Sequence, residues 1–330
     1  MKLLNEQKIG LSMAVFLASD DYDYDPRPNA VSATGLLKSV RQTILSKRVV
    51  ESAAEIDISS LAASTFGNAV HDGVEKAWSG KRYIKAMRKL GYPESVIQRI
   101  KVNPQPEELL PDTIPVYIEQ RREKEFHNWI VTGKFDFVGD GVLEDHKTTG
   151  VFTYIKSSNA EKFRLQGSIY RWLNQDIITG DYMLINYVFT DWSALRAKIE
   201  KDKGYPPHRM MSVKISLKSL EDTETFIRTK LKAVQDHLSK PEAELPLCSK
   251  EELWQDATVY KYYRNPATKD RSTKNFDNFA EAQMRLVKDG SVGVIDIVKG
   301  EAKACRWCPA VAICSQAKQM IVDGILNMEV

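Results

Sequence analysis

No apolar run in this chain of 330 residues approaches the roughly 18 that a helix needs to cross a bilayer. Charge of one sign is also scarce. Lys and Arg number 47 against 44 Asp and Glu, and the net +3 is too small to announce a nucleic-acid partner by itself. Any basic surface must therefore be local. Internal repeats and low-complexity segments are missing, which excludes a repeat architecture. Cysteine is rare, and all four residues (Cys248, Cys305, Cys308 and Cys314) fall in the last third. In a reducing compartment such clustering favours metal or redox chemistry over disulfides. The one signal-like stretch, "IGLSMAVFLAS" after Lys8, is short. Its Leu4, Leu11, Val15 and Ile9, Met13, Phe16 spacing fits an amphipathic helix better. A cytoplasmic protein with no membrane partner is expected.

What is present is ordinary for a globular chain. At 37.5 kDa, with 43% hydrophobic and 28% charged residues, it can bury a core in one elaborated domain or two. "DDYDYDPRPN" (20–29) reads as a loop before the helix "SATGLLKSVRQTIL", which Ser32 or Thr34 can cap. Residues 59–78 read as a third helix. "PVYIEQRREKEF", "HNWIVTGKFDFV" and "VLEDHKTT" read as three successive antiparallel strands. A helix follows from "SSNAEKFRLQGSIYRWLNQDII", with Ser157, Ser158 and Asn159 as cap candidates, then the buried strand "YMLINYVFT". Beyond about residue 205 come the helix "SLEDTETFIRTKLKAVQDHL", a long irregular stretch and the cysteine-bearing tail. The order is α/β, and it divides into 1–58 (N-terminal helical segment), 59–200 (core) and 201–330 (C-terminal extension).

The densest chemistry lies in "GKFDFVGDGVLEDHKTTG", residues 133–150. Asp140-Gly141 between short β-prone runs is a strong signal for a two-residue hairpin, because a type I′ turn needs positive φ at both positions. Gly139 then faces Val142, Asp136 lies opposite Asp145, and Lys134 lies opposite Lys147. Alternation sends Asp136, Asp145 and Lys147 to one face, with Phe135, Phe137, Glu144 and His146 on the other. A three-residue loop would slip the register and move Asp136 to the Glu144 face. Two opposed aspartates repel unless a cation lies between them. A solvated hairpin face is the plain alternative. The sharper one is a pair of carboxylates holding Mg²⁺ or Mn²⁺ beside an ammonium, the chemistry of phosphodiester hydrolysis.

Those residues resemble the PD-(D/E)XK nuclease superfamily, with Asp136, Asp145 and Lys147 in the matching places. Further matches follow in the order of its RecB-like branch. "FGNAVH" is similar to that branch's Gly-x-x-x-His helix, whose histidine ligates the metal, and places Gly67 and His71 accordingly. Read alone, His71 is a structural helical histidine, and Glu75 one turn on is either a supporting hydrogen-bond partner or a solvated charge. "RLQGSIYRW" puts Gln166 and Tyr170 four apart, as in the branch's Gln-x-x-x-Tyr motif; read alone, they are a packed tyrosine and an incidental glutamine. The resemblance spans about residues 60–190. It implies a restriction-endonuclease-like core with a mixed sheet flanked by helices. It also implies a site in which His71, Asp136, Asp145 and the backbone carbonyl of His146 bind the metal. Asp136, Asp145 and Lys147, with Gln166 and Tyr170, would then be the catalytic set.

The tail carries a separate pattern. "CRWCPAVAIC" is Cys-x2-Cys-x5-Cys, a spacing that lets thiolates share one metal centre, with structural zinc as the general alternative. It resembles the trio that follows the core in iron-sulfur nucleases of the Cas4, AddB and Dna2 type, which implies a [4Fe-4S] cluster on Cys305, Cys308, Cys314 and Cys248. In those families the distant cysteine precedes the nuclease motifs, whereas Cys248 follows them. Between Cys248 and Cys305, "TVYKYYRNPATKDRSTKN" holds five basic residues, one acidic residue and three tyrosines. Tyr260, Lys261, Tyr262, Tyr263 and Arg264 suit a single-strand groove, or else a solvated loop around the metal site. The expectation is a metal-dependent DNA exonuclease, with no polarity assigned, acting on single-stranded or end-processed DNA in replication, recombination or repair, in a phage-type setting. Its rival is a DNA-binding or scaffold protein that keeps the fold without cleaving.

Overall fold

Asp140 and Gly141 close a two-residue hairpin between the strands Phe137–Gly139 and Val142–Thr149, with φ of 47° and 81°. Both values are left-handed, as a type I′ turn requires. Phe137 pairs with Glu144, Val138 with Leu143 and Gly139 with Val142, the register set by the two-residue loop. The computed structural model that shows this describes residues 2–19, 25–49, 55–156 and 159–328. Half of the expected loop at 20–29 (residues 20–24), and the cap candidates Ser157 and Ser158, lie outside the described residues. Asn159 occupies the cap position of its helix without a side-chain cap bond.

The hairpin lies inside a six-stranded sheet. Its order is Met210–Ser216, Tyr182–Phe189, Val142–Thr149, Phe137–Gly139, Ile114–Ile118 and Ile100–Val102. Tyr182–Phe189 runs parallel to Val142–Thr149, and Ile100–Val102 parallel to Ile114–Ile118; the other pairs are antiparallel. Along Tyr182–Phe189 burial alternates strictly, with Met183, Ile185, Tyr187 and Phe189 buried on one face. The helix Ala62–Ser79 packs on Val142–Thr149, and its Trp78 ring sits 5.1 Å from that of Phe137. On the face that carries Asp145 lies the helix Ala160–Leu173, close enough for Gln166 to bond Asp145. The architecture is α/β, with mixed strands flanked by helices.

Two of the expected strands are broken. "PVYIEQRREKEF" bends at Glu119, where φ is 51°, and "HNWIVTGKFDFV" bends at Phe135 and Asp136. Ile114–Ile118 and Phe137–Gly139 stay in the large sheet. Arg121–Phe126 and Trp129–Lys134 instead join Ala30–Ser32 in a three-stranded one. Chains that switch sheets in this way make a corner. As a result Lys134 pairs with Arg121, not with Lys147 as expected.

Other differences are local. The second helix is two, Ala33–Leu36 capped by Ser32 and Val40–Arg48 capped by Ser39. In the first helix, Leu11–Ala18, the expected apolar stripe is open to solvent and only Leu17 is buried. The stretch read as irregular folds as a three-stranded sheet of Val259–Tyr263, Lys274–Phe276 and Val294–Val298, with the helix Phe279–Lys288 packed on it. The chain divides into two compact units, Met1–Leu37 with Ser52–Leu231, and Lys38–Glu51 with Lys232–Val330. These bounds differ from 1–58, 59–200 and 201–330. Met210–Ser216 completes the large sheet, and residues around Arg41 hydrogen-bond within the C-terminal unit.

Candidate metal centre

Asp136 sits at the strand break, so its carboxylate is freed from ladder geometry. Its Oδ2 accepts a hydrogen bond from the His146 backbone N–H at 2.8 Å and lies 3.4 Å from His71 Nδ1. His71 comes from the middle of the helix Ala62–Ser79, on the side that meets the sheet. Glu119, at the other strand break, brings Oε1 to 3.8 Å from the same nitrogen. Among the described residues, His71, Glu119 and Asp136 are the one group of three metal-capable side chains with ligand atoms within 4.8 Å of one another. One imidazole and two carboxylates suit a hard divalent ion, and the nitrogen favours Mn²⁺ more than Ca²⁺. The donor set therefore fits the metal that the sequence implies. Glu119 was not expected; Asp145 was, and it stands outside this trio.

The charged groups of this corner act strongly on one another. Hydrogen bonding to Asp136 and then Glu119 raises the His71 pKa to about 10. Burial opposes ionisation of Asp136, but the His71 imidazole and the His146 N–H outweigh it and hold the carboxyl below its ordinary value. Burial pushes Asp145 up to about 6, with Asp136 adding to the effect and Lys147 opposing it. Lys134 contributes a further cation, its Nζ 2.8 Å from Glu119 Oε2.

Asp145 belongs to a second, contiguous set. Lys147 Nζ lies 2.6 Å from Asp145 Oδ2, Gln166 Nε2 donates to Asp145 Oδ1 at 3.3 Å, and the same amide reaches the Tyr170 hydroxyl at 2.9 Å. Asp145, Gln166 and Tyr170 are all buried, and Lys147 is a quarter exposed. The structure thus brings Asp145, Lys147, Gln166 and Tyr170 together, beside the trio of His71, Glu119 and Asp136. Glu144 and His146 point the other way. Asn186 Nδ2 donates to Glu144 at 2.7 Å and lies 3.4 Å from His146 Nδ1. The His146 ring stands edge-on to His71 at 5.7 Å, and burial lowers its pKa. Glu75 is exposed.

All four cysteines line one cavity in the C-terminal unit. The buried Arg41 guanidinium donates to Cys314 Sγ at 3.2 Å and to the Leu245 carbonyl at 3.0 Å, and it pairs with Glu242. Ser39 Oγ lies 3.1 Å from Cys248 Sγ. Burial raises the Cys248 and Cys308 thiols and pushes Cys305 up to about 11. Among the described residues no three of the sulfurs fall within 4.8 Å of one another. Bonds of about 2.3 Å to one zinc ion would bring tetrahedral sulfurs to about 3.8 Å. Four thiols on one cavity are a donor set that a zinc ion or an iron-sulfur cluster can use.

The expected stacking surface is corrected by the sheet it forms. Tyr262 is fully buried, its hydroxyl donating to Asp289 at 3.0 Å, and Tyr263 is 8% exposed. Tyr260 packs against Phe279 with ring centroids 5.6 Å apart. Tyr262 fills a small core with Phe276 and Ala282, and neither it nor Tyr263 is offered to a strand; Tyr260 and Lys261 are half-buried and Arg264 exposed.

No family model matches the sequence, and no curated protein matches it. Solved structures similar to this chain include that of SSO0001, at 14% identity and a TM-score of 0.43, covering 73% of this chain and 98% of that one. A phage-related exonuclease from Haemophilus somnus 129PT is similar at 17% identity and a TM-score of 0.29, over 66% of this chain and 96% of that one.

Proposed function

We propose that the protein is a divalent-metal-dependent DNA nuclease of the RecB-like PD-(D/E)XK type. The observation that carries this reading is the convergence of His71, Glu119 and Asp136 within 4.8 Å, beside the 2.6 Å Asp145–Lys147 pair. His71, Glu119 and Asp136 hold Mg²⁺ or Mn²⁺, with Asp145 and the backbone carbonyl of His146 as further oxygens. When bound, the ion polarises the scissile phosphate and lowers the pKa of water at the site. Lys147 orients the water oxygen and offsets negative charge as the phosphorus–oxygen bond to the leaving strand breaks. The water oxygen ends on phosphorus, and a proton ends on the departing oxygen. Gln166 fixes the Asp145 carboxylate, and Tyr170 holds the Gln166 amide.

The substrate in this reading is DNA with a free end, handled as a single strand. The four cysteines hold a [4Fe-4S] cluster that cross-links the C-terminal unit, and Arg41 offsets the charge of their thiolates. End-labelled linear and closed circular single strands, incubated with Mn²⁺ or Mg²⁺, test the activity. Linear DNA is degraded from its ends and the circle resists. Equal rates on both would make the enzyme an endonuclease, and no cleavage of either would leave a binding protein.

A further inference from the structure

A cavity of about 600 Å³ lies beside the Asp145–Lys147 pair, and the metal centre makes no use of it. Its floor is the sheet face that carries Lys147 and Tyr187, neighbours across the two parallel strands. The helix Val151–Ile155 and the first turn of Ala160–Leu173 form its walls. The cavity thus sits at the carboxyl ends of Val142–Thr149 and Tyr182–Phe189, where the chain crosses over between them. Open α/β sheets hold ligands at such places.

The lining states what chemistry would be welcome. Tyr154 and Tyr187 meet edge to face at 5.1 Å, and Phe163 adds a third ring 6.4 Å from Tyr187. Lys147 and Lys203 bring two cations, and no Asp or Glu lines the cavity among the described residues. Thr153 and Asn159 add polar groups suited to the edge of a base. An inorganic anion would make no use of the aromatic wall, and an apolar ligand would make no use of the exposed Lys203 ammonium. A planar aromatic body with an attached anion satisfies both. The volume falls within the roughly 300–1,000 Å³ range of small-ligand sites.

We infer that this cavity binds one nucleotide of the DNA strand, its base among Tyr154, Phe163 and Tyr187 and its phosphate on Lys203. The adjoining phosphodiester is then set beside Lys147. The inference rests on the nuclease reading for the path of the strand and adds a subsite that holds a single nucleotide. A released deoxynucleoside 5′-monophosphate is a ligand of the same site, and so a product inhibitor.

Calorimetric titration of the full-length protein with dAMP in EDTA tests this without calling on the activity. Inorganic phosphate and deoxyadenosine serve as half-ligands. The expected order is dAMP binding more tightly than either half. Thr153→Trp fills the cavity from an exposed position, and Lys203→Glu reverses an exposed cation. Each weakens dAMP binding by about tenfold, the scale of one lost stacking or charge contact. Wild-type protein that ignores dAMP at millimolar concentration overturns the pocket, as does unchanged affinity in Lys203→Glu and a folded Thr153→Trp. Either result leaves the nuclease reading untouched if DNA is still cleaved. Conversely, dAMP binding that both variants weaken, in a protein that cleaves no DNA, supports the pocket and removes the nuclease reading.

Discussion

Glu119 and His71 come within 3.8 Å of each other from the end of a strand and the middle of a helix. Asp136 completes the group, and its two carboxylates share the His71 imidazole, with Lys134 also on Glu119. An added Mn²⁺ or Mg²⁺ ion should therefore stabilise the fold. At a concentration about a hundredfold above its dissociation constant the gain is about 2.7 kcal/mol, a rise of several degrees in melting temperature. His71→Ala and Glu119→Gln should each remove much of that rise in differential scanning fluorimetry. Equal metal-induced shifts in wild type and both variants would put the ion elsewhere.

Glu144→Gln should keep most of the nuclease activity. Its carboxylate is held by Asn186 on the opposite face of the strand from Asp145. A Gln side chain can still accept that bond. Steady-state cleavage rates decide the matter: a variant as inactive as Asp145→Asn would mean that the active face has been assigned to the wrong side.

Gly133→Ala probes how the helix Ala160–Leu173 is seated. A Cβ at Gly133 would stand 2.7 Å from Leu173 Cδ1 and 3.0 Å from Tyr170 Cδ1. Overpacking of this kind costs about 1–3 kcal/mol. The expected result is a lower melting temperature, with a fall in cleavage rate as Tyr170 shifts away from Gln166. A variant with wild-type stability would show that the helix can move back freely.

The cysteine site predicts colour and metal content. Protein prepared without oxygen should be brown and contain four irons per chain, and Cys308→Ser should lose both the visible absorption and part of the thermal stability. Closing the long loop from Cys248 to the trio contributes on the order of 4 kcal/mol by chain entropy, less any strain. Arg41→Met should weaken cluster retention, since it removes the donor to Cys314 Sγ and leaves Glu242 with its Ser315 bonds but no cation. Stoichiometric zinc without iron would replace the cluster with a zinc clip.

The parts legible in the sequence are those fixed by short-range chemistry. Asp140-Gly141 set the hairpin register, because so few residue pairs tolerate two positive φ values. Gln166 and Tyr170 sit one helical turn apart, and their side chains do meet, at 2.9 Å. Glu119 was not legible as a site residue. It reaches Asp136 through pairing between non-adjacent strands, and its own signal was only the change from "PVYI" to "EQRR" inside an expected continuous strand. The same blindness to non-local pairing hid the Met210–Ser216 strand and turned the Tyr262 region into a presumed loop. Its aromatic residues read equally well as a stacking surface or as the core of a small sheet.

The central claim is that Asp145 and Lys147 act together on a phosphodiester, and metal-dependent cleavage by two purified variants tests it most directly. Asp145→Asn and Lys147→Ala, each shown folded by circular dichroism, are assayed on end-labelled linear single-stranded DNA with Mn²⁺. Losing the aligned ammonium or carboxylate should lower the rate by about a hundredfold or more, the usual scale for such a group. Wild-type cleavage by either folded variant would contradict the account.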